Sequence, residues 1–227
     1  NTRVAWTEGM FLRPQHFQQS DKYISNVIKQ VCSGNLADPW GIIDISIDNE
    51  LLNSGQFAVD SLTAITLDLL PIDMPQSTSL PEPLVVNKDV FDEIVYLAIP
   101  ALKNSGVNIS STDDNMVTRY KLNDLAVSDD LLGAQSQEII QVAKVYSKLM
   151  LSSDDHSGYI VLPLARIVDV SSEGQIKLDA KYIPPSLKVG QCKPLSGLVR
   201  EIGSMIKQRA ESIAARLCQG YAGSTSV

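Results

Sequence analysis

Apolar side chains recur along this chain with a helical period near both ends and a strand-like period between them. Phe17, Ile24, Val27, Ile28 and Val31 fall at helical spacing. Pro14 stands where a first turn tolerates a residue without an N–H, and Gly34 where a C-cap would stand. The spacing predicts a helix from about Pro14 to Cys32. Ahead of it, Val4-Ala5-Trp6 reads as a short strand or an extended arm.

From Trp40 the period shortens. Trp40 to Asp48 alternates and is rich in Ile, which reads as a strand. Glu50 to Gly55 reads as a helical turn or loop, and Gln56 to Leu70 as one or two more strands. Pro71, Pro75, Pro81 and Pro83 then interrupt the pattern. Repeated prolines remove ladder donors and fix φ, so this stretch reads as an ordered loop at best. Ile94 to Ile99 is a buried strand, Lys103 to Asn115 a long exposed loop, and Val117 to Leu122 an exposed strand through Arg119 and Lys121. Ile139 to Leu151 fits helix and strand nearly equally; its β-branched content selects strand. Tyr159 to Leu162 is a strong strand. Arg166 to Ser171 and Ile176 to Leu178 form a hairpin whose turn carries Gly174.

Ile183-Pro184-Pro185-Ser186-Leu187 stops the β pattern. After Pro194 the chain reads as helix to about Gln219, ended by Gly220 and Gly223. Leu195, Leu198, Val199, Ile202, Met205, Ile206, Ile213 and Leu217 make one apolar stripe, with Arg200, Glu201, Lys207, Gln208, Glu211 and Arg216 mostly off it. Such a helix cannot bury its stripe alone. It must pack on the β-rich body, on further helices, or on copies of itself. Many short strands without crossover helices favour antiparallel pairing. The expected fold is mainly β, an antiparallel sandwich or open barrel, with an N-terminal helix and a C-terminal amphipathic helix. Residues 1–187 form the β-rich unit with its arm, and residues 188–227 the linker, helix and tail.

Composition narrows function mainly by exclusion. The 227 residues are 44% apolar and carry 19 basic and 26 acidic side chains, a net charge of −7. No window clusters Lys and Arg as a phosphate backbone requires, so nucleic acid is not an expected partner. Three dispersed cysteines, Cys32, Cys192 and Cys218, form no C-x-x-C and suggest neither a disulfide framework nor a zinc site. The apolar runs are too short to cross a membrane, and no leader pattern opens the chain.

Candidate chemistry is sparse. His16 and His156 are the two histidines. Catalysis at either would need convergent partners that the local sequence does not supply. His16 is expected to hold a hydrogen bond that fixes the arm, and His156, in the acidic turn Asp154-Asp155-His156, to be exposed. Asp113-Asp114-Asn115 lacks the glycine turn and closing Glu of a calcium loop. No nucleophile elbow, phosphate loop or dinucleotide motif occurs. Neither a cofactor nor a metal is expected, and the chain reads as no enzyme.

The most informative stretch is Trp6-Thr-Glu-Gly-Met-Phe-Leu-Arg-Pro-Gln-His-Phe-Gln-Gln19. Trp6, Met10, Phe11, Leu12 and Phe17 crowd around a Gly and a Pro, which suits a docking segment better than an active site. Trp6, Met10 and Phe11 are either core or core plus contact to a neighbouring chain. The string resembles the N-terminal W-x-E-G-M-F-L-x-P-Q-H-F-Q-Q signature of the TssK family, baseplate subunits of bacterial type VI secretion systems. Tyr159 to Ile167 is similar to that family's Y-x-x-L-P-x-A-R-I string, and Leu178 to Leu187 to its L-D-x-x-F-I-P-P-x-L. The helix from Leu195, with Arg209 and Ala210, is similar to its first stem helix.

The resemblance implies a structural, cytoplasmic protein of a phage tail-like machine. It implies a β-sandwich shell similar to the shoulder of phage receptor-binding proteins, followed by the start of a helical stem. It implies a homotrimer, docked by the shell onto the TssF–TssG wedge of a baseplate at the inner face of a Gram-negative inner membrane. Contact with the membrane-complex proteins TssL and TssM would run through a C-terminal head absent here. The expected partner-binding residues are Trp6, Glu8, Met10, Phe11, Leu12, Pro14, His16 and Phe17, and the expected oligomer interface is the stripe from Leu195 to Leu217. The alternative is a phage-like receptor- or carbohydrate-binding β-sandwich module, which would show a concave aromatic groove on one monomer. A third possibility is a hydrolase built on a sandwich.

Overall fold

The computed structural model describes residues 2–111, 116–131 and 133–222, without the side chains of residues 134, 135 and 217–222. In chain order the elements are α1 (Pro14–Asn35), β1 (Gly41–Ile47), α2 (Asn49–Asn53), β2 (Gln56–Phe57), β3 (Val59–Ile65), β4 (Pro71–Met74), β5 (Leu84–Val85), β6 (Glu93–Pro100), β7 (Ile109–Ser110), β8 (Tyr120–Asp129), β9 (Gly133–Val145), β10 (Lys148–Leu151), β11 (Tyr159–Val170), β12 (Ile176–Leu178) and α3 (Lys193–Ala222).

Two sheets form the body, one ordered β1-β3-β4 and the other β10-β6-β11-β12, and every pairing in them is antiparallel. Alternation puts Ile42, Leu62, Ala64, Ile72 and Met74 of the first sheet into one core with Val95, Leu97, Ile99, Leu162, Leu164, Ile167 and Ile176 of the second. This is the expected antiparallel sandwich. Each such Leu or Ile contributes about 1.5–3 kcal/mol by leaving water. Among the described residues two pairings are parallel, the two-residue contact of β7 with β8 and the isolated bridge of Ile42 with Ser186. Gly41 has φ +138°, and a Cβ there would meet the Pro185 carbonyl oxygen at 2.9 Å. The close approach lets the Ile42 N–H donate to Pro185 O at 2.7 Å and the Leu187 N–H to Ile42 O at 2.8 Å.

Several local expectations need correction. Helix α1 runs through Gly34 to Asn35 and is capped at Leu36, whose N–H donates to Cys32 O at 3.0 Å. The proline-rich stretch holds two strands. Pro71 opens β4, an edge strand, where a first residue can lack the ladder donor, and Leu84–Val85 pairs with β2. Tyr159 to Val170 is one strand across Pro163, absorbed by a register shift between Pro163 and Ala165. Gly220 does not end the last helix, which continues to Ala222. The Asp113-Asp114-Asn115 segment, the tail from Gly223 and the Leu217 side chain lie outside the described residues.

The stretch from Ile139 to Leu151 is extended, in line with its β-branched content, but it serves two sheets. Residues through Val145 complete a long hairpin with β8, and Lys148–Leu151 enters the sandwich beside β6. Arg119 sits at this crossover and is not on an exposed strand. It precedes β8 and is buried, with 1% of its side chain exposed. Its Nη1 donates to Pro100 O at 3.0 Å, its Nη2 meets Asp68 Oδ2 at 2.6 Å, and its carbonyl accepts the Tyr146 N–H at 2.9 Å. One guanidinium therefore ties the hairpin base to the end of β6 and to the turn between β3 and β4.

Candidate docking surface

The arm is built by a tight turn and a helix start. Thr7 O accepts the Met10 N–H at 3.4 Å with Gly9 at φ +75°, the third-position geometry of a type II turn that glycine adopts without strain. The chain then runs extended to Arg13, with φ −130° and ψ 154°, and Pro14 opens α1. The Arg13 N–H donates to His16 Nδ1 at 3.0 Å, while the His16 N–H donates to Arg13 O at 3.0 Å. His16 thus fixes the arm, as the sequence suggested, by a reciprocal bond at the helix start. Gln19 Nε2 donates to Thr2 O at 2.6 Å and folds the arm back along the first turns. Trp6 then lies with its ring centroid 6.4 Å from His16 and 6.3 Å from Phe17.

This arrangement leaves the arm outside the core. Phe11 is 81% exposed and Trp6 51%, and Leu12 and Phe17 are also more than half exposed. Glu8 and Pro14 are exposed, and Met10 and His16 are half-buried. The structure brings Trp6, His16 and Phe17 together and leaves Phe11 and Leu12 facing water.

Helix α1 buries none of its residues. Its less exposed positions, His16, Gln19, Ser20, Tyr23, Asn26, Lys29 and Cys32, are polar or amphipathic except for the cysteine. Lys29 Nζ lies 4.0 Å from Asp68 Oδ2 in the β3–β4 turn. The apolar stripe Ile24, Val27, Ile28 and Val31 is exposed. The sequence showed this stripe as a periodicity but could not show which way the helix turns it. On α3, Leu195 is half-buried, while Leu198, Val199, Ile202, Met205, Ile206 and Ile213 are exposed. The stripe therefore does not pack on the body of its own chain.

His156 is half-buried, correcting the expectation of exposure. Its Nε2 lies 2.8 Å from Leu151 O and its ring meets Tyr96 edge-on at 5.0 Å. Beside it, the Ser157 hydrogen bonds, aided by nearby His156, hold the Asp155 carboxyl below the usual carboxylate range. Among the described residues no three His, Cys, Asp or Glu side chains gather as a metal site. No helix there is long and apolar enough to cross a membrane. A groove of about 500 Å³ lies along β1 and the segment leading to α3, and Tyr182 is its one aromatic lining residue.

Comparison with known proteins places this surface in context. Residues 16–227 match the family model described as "Bacterial Type VI secretion, VC_A0110, EvfL, ImpJ, VasE". The type VI secretion system baseplate component TssK1 of Pseudomonas aeruginosa is 32% identical over the whole chain, which spans 51% of that relative. A crystal structure of TssK superposes with a TM-score of 0.87 at 25% identity, covering 96% of this chain and 49% of that one. A TssK–TssF–TssG baseplate subcomplex seen by cryo-electron microscopy contains a chain that matches at TM-score 0.85 and 24% identity over 94% of this chain and 72% of that one, a likeness of fold. The chain thus spans about half the length of the first two relatives. On the family match and the full-length identity to TssK1, the chain belongs to the TssK family of bacterial type VI secretion proteins.

Proposed function

We propose that this chain is the shell, residues 1–187, and the start of the stem, residues 188–227, of a structural baseplate subunit. It works by surface complementarity and not by catalysis. The shell docks on the wedge proteins TssF and TssG through the arm residues Trp6, Met10, Phe11, Leu12 and Phe17, oriented by Pro14 and His16, with Glu8 at the rim. Copies associate as a homotrimer along the α3 stripe. The assembly sits in the cytoplasm at the inner face of the inner membrane, and contact with TssL and TssM belongs to the part of the family's proteins that follows the stem.

One observation carries this reading. Four large apolar side chains of a fourteen-residue string stand more than half exposed on a segment held in one conformation by its own hydrogen bonds. Exposed aromatic clusters of this kind mark binding surfaces, and a preformed segment loses little entropy on docking. Relatives assembled with TssF and TssG name the partner to test. Removing residues 1–19 should leave a folded β body by circular dichroism and abolish pull-down of TssF–TssG. Retained binding would move the contact elsewhere, to the loop from Lys103 for instance, and an unfolded body would make the arm core. The carbohydrate-binding alternative gains no support from the groove, whose lining holds a single aromatic ring.

A further inference from the structure

Strand β1 is an edge of its sheet, with β3 as its neighbour there. Its start is covered by segment 184–187. Ile42 forms a parallel bridge with Ser186, accepts the Leu187 N–H and donates to Pro185 O. The segment then leaves toward α3, and a register shift between Ile42 and Asp44 marks that point on the strand. Beyond it, among the described residues, the backbone of Ile43 to Ile47 finds partners on β3 alone. Unpaired edge groups are a template for a further strand unless charge, proline or a covering element blocks them. This run has no proline, and Asp44 is its one charged side chain.

The groove of about 500 Å³ runs along this edge. Neighbouring side chains of a strand point to opposite faces. Ile42 through Ile47 all line the groove, which is possible only along the edge of the strand. The facing wall is Leu178 to Ala180, where β12 ends the other sheet, with parts of 184–194. The groove is thus an open side of the sandwich. Ile45, Ile47 and Leu178 pack against the core from this side and remain half-buried.

We infer that this edge takes up an extended peptide segment of a partner protein as an added strand. The chain itself sets the precedent at Ile42, where an extended segment is already held by backbone hydrogen bonds. The free edge is about 17 Å long at the usual strand rise, room for about five residues. In such additions the backbone supplies affinity and alternate side chains supply selection. The segment therefore needs apolar side chains at every second position, to cover Ile45, Ile47 and Leu178, and no proline where a ladder donor is required. Net charge is not selected, because Asp44 and Asp179 in the lining are balanced by Lys188 and Lys193. A second copy is a poor donor. Among the described residues its strands are already paired in sheets, and its arm is held back along α1 by the bond from Gln19 to Thr2. The groove shares no residue with the arm or with the α3 stripe, so this inference stands apart from the docking and self-association proposed above.

The test pans a bead-displayed library of random peptides of about six residues, a typical strand length, against the whole chain and against Gln191→Trp and Ala180→Trp. Both positions line the groove and are exposed, so each variant fills the groove and should keep the wild-type melting temperature. Selected peptides should alternate apolar and polar residues, lack internal proline, and lose affinity about tenfold or more on either variant. N-methylating one of the two alternating sets of backbone amides in a selected peptide should abolish binding, since it removes ladder donors and keeps every side chain. Amide hydrogen exchange within Ile43 to Ile47 should slow when the peptide binds. The inference is overturned if no peptide is enriched, if selected peptides bind the filled variants equally well, or if they bind whichever set of amides is N-methylated. A mass of the associated chain that falls in the filled variants would assign the groove to a second copy and overturn it as well.

Discussion

The guanidinium of Arg119 lies 2.6 Å from the carboxylate of Asp68, fifty-one positions earlier in the chain. Asp68 is in turn anchored by Thr66, whose Oγ1 donates to its other oxygen at 2.5 Å and accepts the Leu70 N–H at 3.0 Å. The pair joins the base of the β8–β9 hairpin to the sandwich, and Lys29 brings α1 to the same carboxylate. A hairpin of two main strands is marginal by itself, so its docking at Arg119 matters to its order.

Breaking this pair from one side should be costly. Asp68→Asn leaves a buried cation with a weaker partner and should destabilise the chain by about 2–4 kcal/mol, measured by urea denaturation. Arg119→Met combined with Asp68→Leu should cost less than the sum of the single changes, because neither charge is then stranded. Strict additivity in this cycle would mean that the two side chains do not interact.

Trp6→Ala and Phe11→Ala should each weaken TssF–TssG binding by about 2 kcal/mol, roughly thirtyfold. Phe11→Ala should leave the melting temperature unchanged, since that side chain is 81% exposed. His16→Ala should act differently. It removes the bond from the Arg13 N–H and should loosen the arm, lowering affinity without removing any apolar anchor. Titration calorimetry separates the cases through a larger entropic penalty for His16→Ala.

Ile202→Asp and Ile206→Asp should lower the mass of the associated chain at micromolar concentration with little change in the β core. Both positions are exposed on α3, so the single chain loses no packing. A mass insensitive to both changes would remove α3 from the interface.

Burial, followed by the nearby Tyr96, raises the Tyr182 pKa above its ordinary value of 10.0, with Arg166 acting in the opposite direction. A raised value in the folded state contributes stability that is intact below the unfolded pKa and lost as pH rises through the folded one. The melting temperature should therefore fall above pH 10, and Tyr182→Phe should flatten that fall. An identical alkaline profile for the variant would assign the loss to other groups.

Periodicity alone determined the two terminal helices and most of the strands, because apolar spacing and turn residues act within a few positions of the chain. Phe17, Ile24, Ile28 and Val31 announce a helix whatever surrounds them, and Val95, Leu97 and Ile99 a buried strand. Tertiary structure decided what local spacing does not encode. Arg119 sits among polar neighbours and reads as exposed, yet it is buried because Asp68 and Pro100, distant in sequence, supply its partners. Pro71 reads as a breaker, yet it opens a strand because β4 is at the edge of its sheet. The stripe of α1 shows in the sequence as a periodicity alone, and tertiary structure turned it to water: the core is filled from the two sheets and α1 contributes no buried residue to it. Sequence thus set which surfaces are apolar, and packing of the two sheets set which of them remain for partners.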